Sequence, residues 1–276
     1  LSALKLGHFF LKAGLPEGVL SIASASGSDT ATIFSDPRIR FVSFIGGEDV
    51  GWEIRKKVGP GVRVALEHGG VGTAIIDKNA HLETAIPTII KGAFYHAGQV
   101  CVSLQNLYVH ETLYEKVIML LKRAVSKLST GDPTDEKTDV GPLITPDDVE
   151  RVNALVAEAM RGGAKLVIGG KALEHNCYAP TVLTNVSPKM NIMRHEIFGP
   201  VLNVLSYTDL NRVVETINDS PYSFQTAIYT ENITTALTTA KKLDCTACII
   251  NNSTAFRVDW IPFGGAKHSG LGVSGI

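Results

Sequence analysis

Apolar residues recur along this chain in two alternating rhythms, one helical and one of short runs, so helices and strands are expected to alternate throughout. Leu4, Leu6, Phe9, Phe10 and Ala13 make the apolar stripe of a helix that Gly14 ends, and residues 19–23 read as a strand after it. A second strand is expected at 41–45, a helix at 48–58 and a third strand at 62–66. Strand, helix and strand in units of this length imply parallel pairing through crossover helices.

Beyond Gly70 the alternation restarts. Strands are expected at 74–76, 107–110, 166–168, 181–183, 202–205, 226–229 and 247–250, and helices at 81–97, 111–128, 146–160, 209–218 and 233–243. The turn Glu67-His68-Gly69-Gly70 is the natural boundary between the two stretches. No internal repeat or low-complexity segment interrupts the pattern. An α/β fold is expected.

Composition narrows the class. The 276 residues are 45% apolar, enough for a sizeable core. Lys and Arg total 26 against 27 Asp and Glu, a formal net charge of -1, so no basic surplus points to nucleic acid. Apolar runs stop short of the ~18 residues that a membrane span needs, and no charged leader precedes the first helix. A soluble protein with neither nucleic-acid nor membrane partners is expected. Its four cysteines, Cys101, Cys177, Cys245 and Cys248, are too sparse for a disulfide framework, and reduced thiols suit a cytoplasmic location. Cys245-Thr246-Ala247-Cys248 has C-x-x-C spacing, but no second pair or nearby histidine completes a metal site. Cys248 opens an apolar run and reads as a small buried hydrophobe.

Several segments could carry chemistry. Cys101 follows Gly98-Gln99-Val100 where a helix gives way to a strand, a place where a thiol can be both held and reached. Glu67, before two glycines, reads alone as a turn carboxylate; near water and substrate it could act as a general base. His68 beside it reads as structural. Phe44-Ile45-Gly46-Gly47-Glu48-Asp49-Val50-Gly51 joins a strand to a helix, and its N–H groups could receive a phosphate. Glu48 and Asp49 could equally be acids favoured at a helix N-terminus. Glu196 and Phe198, ahead of Gly199-Pro200, could hold a ribose and a flat ring, or simply staple a loop.

Together these segments resemble the aldehyde dehydrogenase superfamily, from Leu4 to Gly272. The markers are residues 13–19, the 44–51 loop, Glu67-His68-Gly69-Gly70, Gly98-Gln99-Val100-Cys101, residues 196–201 and residues 262–272. The resemblance implies a partial Rossmann-type cofactor domain over 1–70, an α/β catalytic thiol domain over 71–265, and a return segment over 266–276 toward the cofactor and oligomerisation region. By position Cys101 would be the nucleophile and Glu67 the base that activates water. Gly46, Gly47 and Gly51 would line the pyrophosphate, Glu196 would hold the nicotinamide ribose, and Phe198 would pack on the ring. Val100, Val102, Phe256, Arg257 and Phe263 would border the substrate. The expected reaction is oxidation of a small-molecule aldehyde to a carboxylate with NAD or NADP, NAD favoured, through a thiohemiacetal and a thioester. No metal is expected, and the parent is expected to be a homodimer or homotetramer. The alternatives are a CoA-acylating enzyme, which would do without Glu67, and a non-catalytic fragment.

Two residues depart from the family pattern: Gly47 stands where serine is common, and His68 where leucine is. The resemblance also implies an interior fragment, opening within a helix of the cofactor domain and ending before the C-terminal arm. An inactive isolated chain would follow.

Overall fold

A computed structural model describes residues 2–274; Leu1 and residues 275–276, the ends of the expected 1–70 and 266–276 segments, lie outside the described residues. The chain divides into two compact units, Leu1–Val42 with Trp52–Arg63, and Ser43–Gly51 with Val64–Ile276.

The first unit holds α1 (Ser2–Lys12) and a single helical turn, α2 (Gly27–Thr30). Gly14 ends the first helix as expected: its φ of 88° is the left-handed region that glycine enters freely, and Leu15 N–H donates to Phe10 O across the turn. The strand expected at 19–23 does not form. Val19 is 65% exposed and this stretch is irregular, because a strand is stabilised by ladder partners that apolar content alone does not provide.

Strand β1 (Phe41–Ile45) leads to α3 (Glu48–Lys57) and β2 (Arg63–Glu67). The second unit continues through β3 (Gly72–Ile76), α4 (Leu82–Phe94), β4 (Leu104–His110), α5 (Glu111–Val125) and α6 (Pro146–Arg161). Then come β5 (Lys165–Ile168), β6 (Thr181–Thr184), α7 (Asn191–Arg194), β7 (Val201–Tyr207), α8 (Leu210–Asn218) and β8 (Tyr222–Ser223). The series closes with β9 (Gln225–Tyr229), α9 (Ile233–Lys242), β10 (Ala247–Ile250), β11 (Ala266–Lys267) and β12 (Gly270–Leu271).

Seven strands form the central sheet in the order β10-β9-β3-β4-β7-β6-β5. All neighbours pair in parallel except the edge strand β5, which is antiparallel to β6. Ala227, Ala74, Leu107 and Val204 lie side by side across β9, β3, β4 and β7, and each is fully buried. Burial on both faces explains why these strands read as continuous apolar runs. Burial of Leu107 and Val204 contributes roughly 1.5–3 kcal/mol each, and of the two alanines less.

That order positions the site. Strands β3, β4 and β7 are adjacent and parallel, so the segments entering them emerge at one edge of the sheet. Those segments contain Glu67–Gly70, Cys101 and Glu196–Pro200. A smaller sheet, β1-β2-β12, carries Glu67 at the end of β2, where Gly270 of β12 pairs with it antiparallel.

Candidate active site

The helix expected over 81–97 stops at Phe94, and the chain then turns into the site through left-handed residues. His96 (φ 50°) and Ala97 (φ 55°) precede Gly98 (φ 71°), where a Cβ would lie 2.2 Å from Gly199 O. Only glycine tolerates both the dihedral and the close approach at 98. The turn ends with Ser103 N–H donating to Val100 O, and this places Cys101 half-buried at the mouth of β4.

The Cys101 thiol donates to Glu67 Oε1 across 3.9 Å, a long contact of the kind sulfur makes. The backbone N–H groups of Cys101 and Val102 also point at the sulfur. Burial, with the charges of Glu67 and Glu196, pushes the thiol up to about 12. Burial also raises Glu67 above the ordinary carboxylate range, against the opposing pull of Arg257 and the thiol hydrogen bond. At rest, therefore, the sulfur holds its proton and the carboxylate beside it is positioned to receive it.

Glu196 comes to the same place. One oxygen accepts the Gly70 N–H at 3.3 Å, and a Cβ at Gly69 would stand 2.0 Å from the carboxylate. Burial pushes Glu196 up to about 7, although the Gly70 N–H and Arg151 pull it down. Phe198 (φ 45°) is half-buried and shares a small cleft with Gly98, Val100 and Glu196.

Two residues that hold this loop escaped the sequence reading. Gln105 donates to Ile192 O and His195 O and accepts from Ile197 N–H; Arg151 donates to Ile197 O at 2.6 Å and to Phe198 O. Gln105 and Ile197 are 92 positions apart, so no local pattern could have revealed the pairing. The polar pair Gln105-Asn106 inside the otherwise largely apolar β4 was the available signal.

The Gly46–Gly51 loop is built by close approach. Gly46 N–H donates to Glu67 O at 3.1 Å, and a Cβ at Gly51 would lie 1.9 Å from His68 Nε2. His68 is structural as expected, buried with Nδ1 2.9 Å from His268 O. A Cβ at Gly47 would meet nothing within 4 Å. Glu48 is drawn aside by the Tyr222 hydroxyl at 2.7 Å and by His268 at 2.9 Å. The Gly46 and Gly51 N–H groups are thus engaged within the protein, the latter by Gly47 O at 3.1 Å, and the place a phosphate could take is the start of α3 beside the uncrowded Gly47, with Glu48 held aside and Asp49 still in the first turn.

The residues expected to border substrate divide. Val100 is half-buried, Phe256 is 39% exposed and Phe263 is half-buried. Val102 is 4% exposed with its carbonyl accepting the Thr254 hydroxyl at 2.7 Å, so it serves the turn and offers little side-chain surface. Arg257 lies over the Phe263 ring, 4.7 Å from its centroid, and donates to Ile261 O. Its charge reaches Glu67. Among the described residues no cluster of three His, Cys, Asp or Glu could hold a metal, and no helix is long and apolar enough to cross a membrane.

The chain is 38% identical over its full length to 3-sulfolactaldehyde dehydrogenase of Priestia aryabhattai and covers 57% of that protein. It superposes with a TM-score of 0.95 on aldehyde dehydrogenase 21 from Physcomitrella patens, solved with the reaction product succinate, at 35% identity over 99% of this chain and 57% of the other. NADP-dependent glyceraldehyde-3-phosphate dehydrogenase from Bacillus halodurans, solved with NADP, gives a TM-score of 0.95 at 32% identity, covering 99% and 57%. The chain thus spans little more than half the length of the relatives it matches. The model of the aldehyde dehydrogenase family matches residues 1–276, and with the thiol, the two carboxylates and the glycine loop assembled as described, the chain belongs to that family.

Proposed function

We propose that this site oxidises an aldehyde to a carboxylate with a nicotinamide dinucleotide, Cys101 acting as nucleophile and Glu67 as base. The observation that carries the reading is the approach of the Cys101 thiol to Glu67 Oε1 at 3.9 Å. Sulfur attack on the carbonyl carbon releases the thiol proton, and Glu67 is its nearest acceptor. The oxyanion of the thiohemiacetal forms beside the N–H groups of Cys101 and Val102. Nicotinamide, when bound, supplies the hydride acceptor. Glu67 releases the thiol's proton to solvent, then takes one from water as it attacks the Cys101 thioester and passes it to the departing sulfur, so the acid leaves with the thiol restored. Aldehyde, water and oxidised cofactor give acid, reduced cofactor and one proton.

Gly46, Gly47 and Gly51 would hold the pyrophosphate, Glu196 the nicotinamide ribose and Phe198 the ring. A base placed at the thiol favours hydrolysis over transfer of the acyl group to CoA. Arg257, fixed on Phe263 and held by the Ile261 carbonyl, would clamp an anionic group at the far end of the aldehyde. The names of two relatives suit this: 3-sulfolactaldehyde and succinate each carry such a group. Steady turnover of the Glu67→Gln protein tests the assignment, since undiminished turnover would remove Glu67 from the mechanism.

A further inference from the structure

The short helix α7 ends at Arg194, two positions before Glu196, and its last carbonyls have no partners within the helix. Amide side chains of the central sheet receive them. Gln105 Nε2 donates to Ile192 O at 3.0 Å and to His195 O at 2.9 Å. Asn106 Nδ2 donates to Met193 O at 3.2 Å, and Asn203 Nδ2 to Ile192 O at 3.0 Å. Asn203 also donates to Asn106 Oδ1 at 2.9 Å, which ties β7 to β4. Gln105, Asn106 and Asn203 are each at most 5% exposed. Away from water, a carbonyl that lost its amide would find no replacement, so the cluster favours one geometry.

Gln105 does more than seat the helix. Its Oε1 accepts Ile197 N–H at 2.9 Å while its Nε2 holds His195 O, so one side chain grips the backbone on both sides of Glu196. Beyond that grip Phe198 has a φ of 45°, a left-handed backbone that an aromatic residue keeps only where its surroundings impose it. Gln105 stands four positions after Cys101, at the start of β4. The segment that carries the thiol therefore also carries the grip on the Glu196 loop. The close approach of Gly98 to Gly199 joins the same two segments a second time.

We propose that Gln105 is a positioning residue for hydride transfer, fixing the Glu196–Phe198 loop against Cys101. This role rests on Cys101 carrying the substrate and on Glu196 and Phe198 holding the nicotinamide ribose and ring, as proposed. Hydride transfer needs the carbon on Cys101 and the acceptor ring in near contact, and a misplacement of about 1 Å can cost about 100-fold. Attack of Cys101 on a carbonyl and hydrolysis of its thioester need only Cys101, Glu67 and water. Where the ring lies is immaterial to them. A change at Gln105 therefore divides the two kinds of chemistry.

p-Nitrophenyl acetate separates them. The thiol displaces p-nitrophenolate from the ester, and water returns the acetylated thiol to thiol and acetate with no cofactor. Gln105→Glu in the full-length protein keeps the acceptor for Ile197 N–H and loses both donors. With an aldehyde, its burst of reduced cofactor should be about ten- to a hundredfold slower and its KM for cofactor higher, while ester hydrolysis stays within about twofold of wild type. Gln105→Asn, an amide one carbon shorter, should show the same split to a smaller degree, and it decides the matter if Gln105→Glu does not fold. In either folded variant, a wild-type burst rate with unchanged cofactor KM overturns the proposal, and so does an equal loss of ester hydrolysis and oxidation. A wild-type protein that hydrolyses the ester but reduces no cofactor would instead remove the proposed function, and this role with it.

Discussion

Glu67→Gln keeps the shape of the side chain and removes its basicity, so it separates the two halves of the proposed reaction. Glu67 sits at the end of β2, fixed by pairing with Gly270, and glutamine can occupy the same volume. Half-burial and the Cys101 contact mark Glu67 as the nearest proton acceptor at the thiol. A general base contributes about 100- to 10,000-fold, equivalent to roughly 2.7–5.5 kcal/mol of barrier. Hydrolysis of the thioester depends on that base more heavily than addition does, because water is the poorer nucleophile. In the full-length protein, stopped-flow absorbance should show a burst of reduced cofactor near one equivalent, then a steady rate reduced by that factor. Because Glu67 is raised by burial, the wild-type steady rate should rise with pH through a value above the ordinary carboxylate range, and the variant should lose that limb. Steady turnover at the wild-type level, or loss of the burst together with the steady rate, would refute the division of labour.

Three further outcomes follow from the same geometry. Glu196 rises from 4.5 to about 7 on folding, so the stability associated with its protonated form is present below pH 4.5 and is lost as pH rises toward 7. Thermal melts at pH 5 and 8 should therefore differ less for Glu196→Gln than for wild type, and an unchanged difference would contradict the cause given for the shift. Gly98→Ala combines a φ of 71° with a Cβ 2.2 Å from Gly199 O; a loss of at least about 3 kcal/mol is expected by urea denaturation, and a loss below 1 would show that the turn can yield. Arg257→Ala should raise KM for succinic semialdehyde by roughly ten- to a hundredfold, as for a lost charge-assisted hydrogen bond, and leave propionaldehyde unaffected. Equal effects on both would reject the clamp.

Much of this was legible in the chain because helix and strand periods are local. The strand at Ala247–Ile250 is where its apolar run placed it, and α3 begins at Glu48 where acids favour a helix start. Residues 19–23 show the limit: an apolar run becomes a strand only against a partner. The site was legible in its identities and not in its support. Cys101, Glu67 and Glu196 could be named from their neighbours, but Gln105 and Arg151 act through bonds spanning 46 to 92 positions. The helix expected to reach Ala97 fails for a related reason. Glycine at 98 is visible in the sequence, whereas the left-handed turn at His96 and Ala97 is not, since neither residue type marks such a backbone.

The central claim is that Cys101 carries the acyl group. Full-length Glu67→Gln protein mixed with an aldehyde and oxidised cofactor, quenched in acid within the burst and digested, should yield one acylated peptide, residues 92–116, modified at Cys101 and cleared by hydroxylamine. An acyl group on Cys177, Cys245 or Cys248, or a burst of reduced cofactor with no acylated peptide at all, would contradict it.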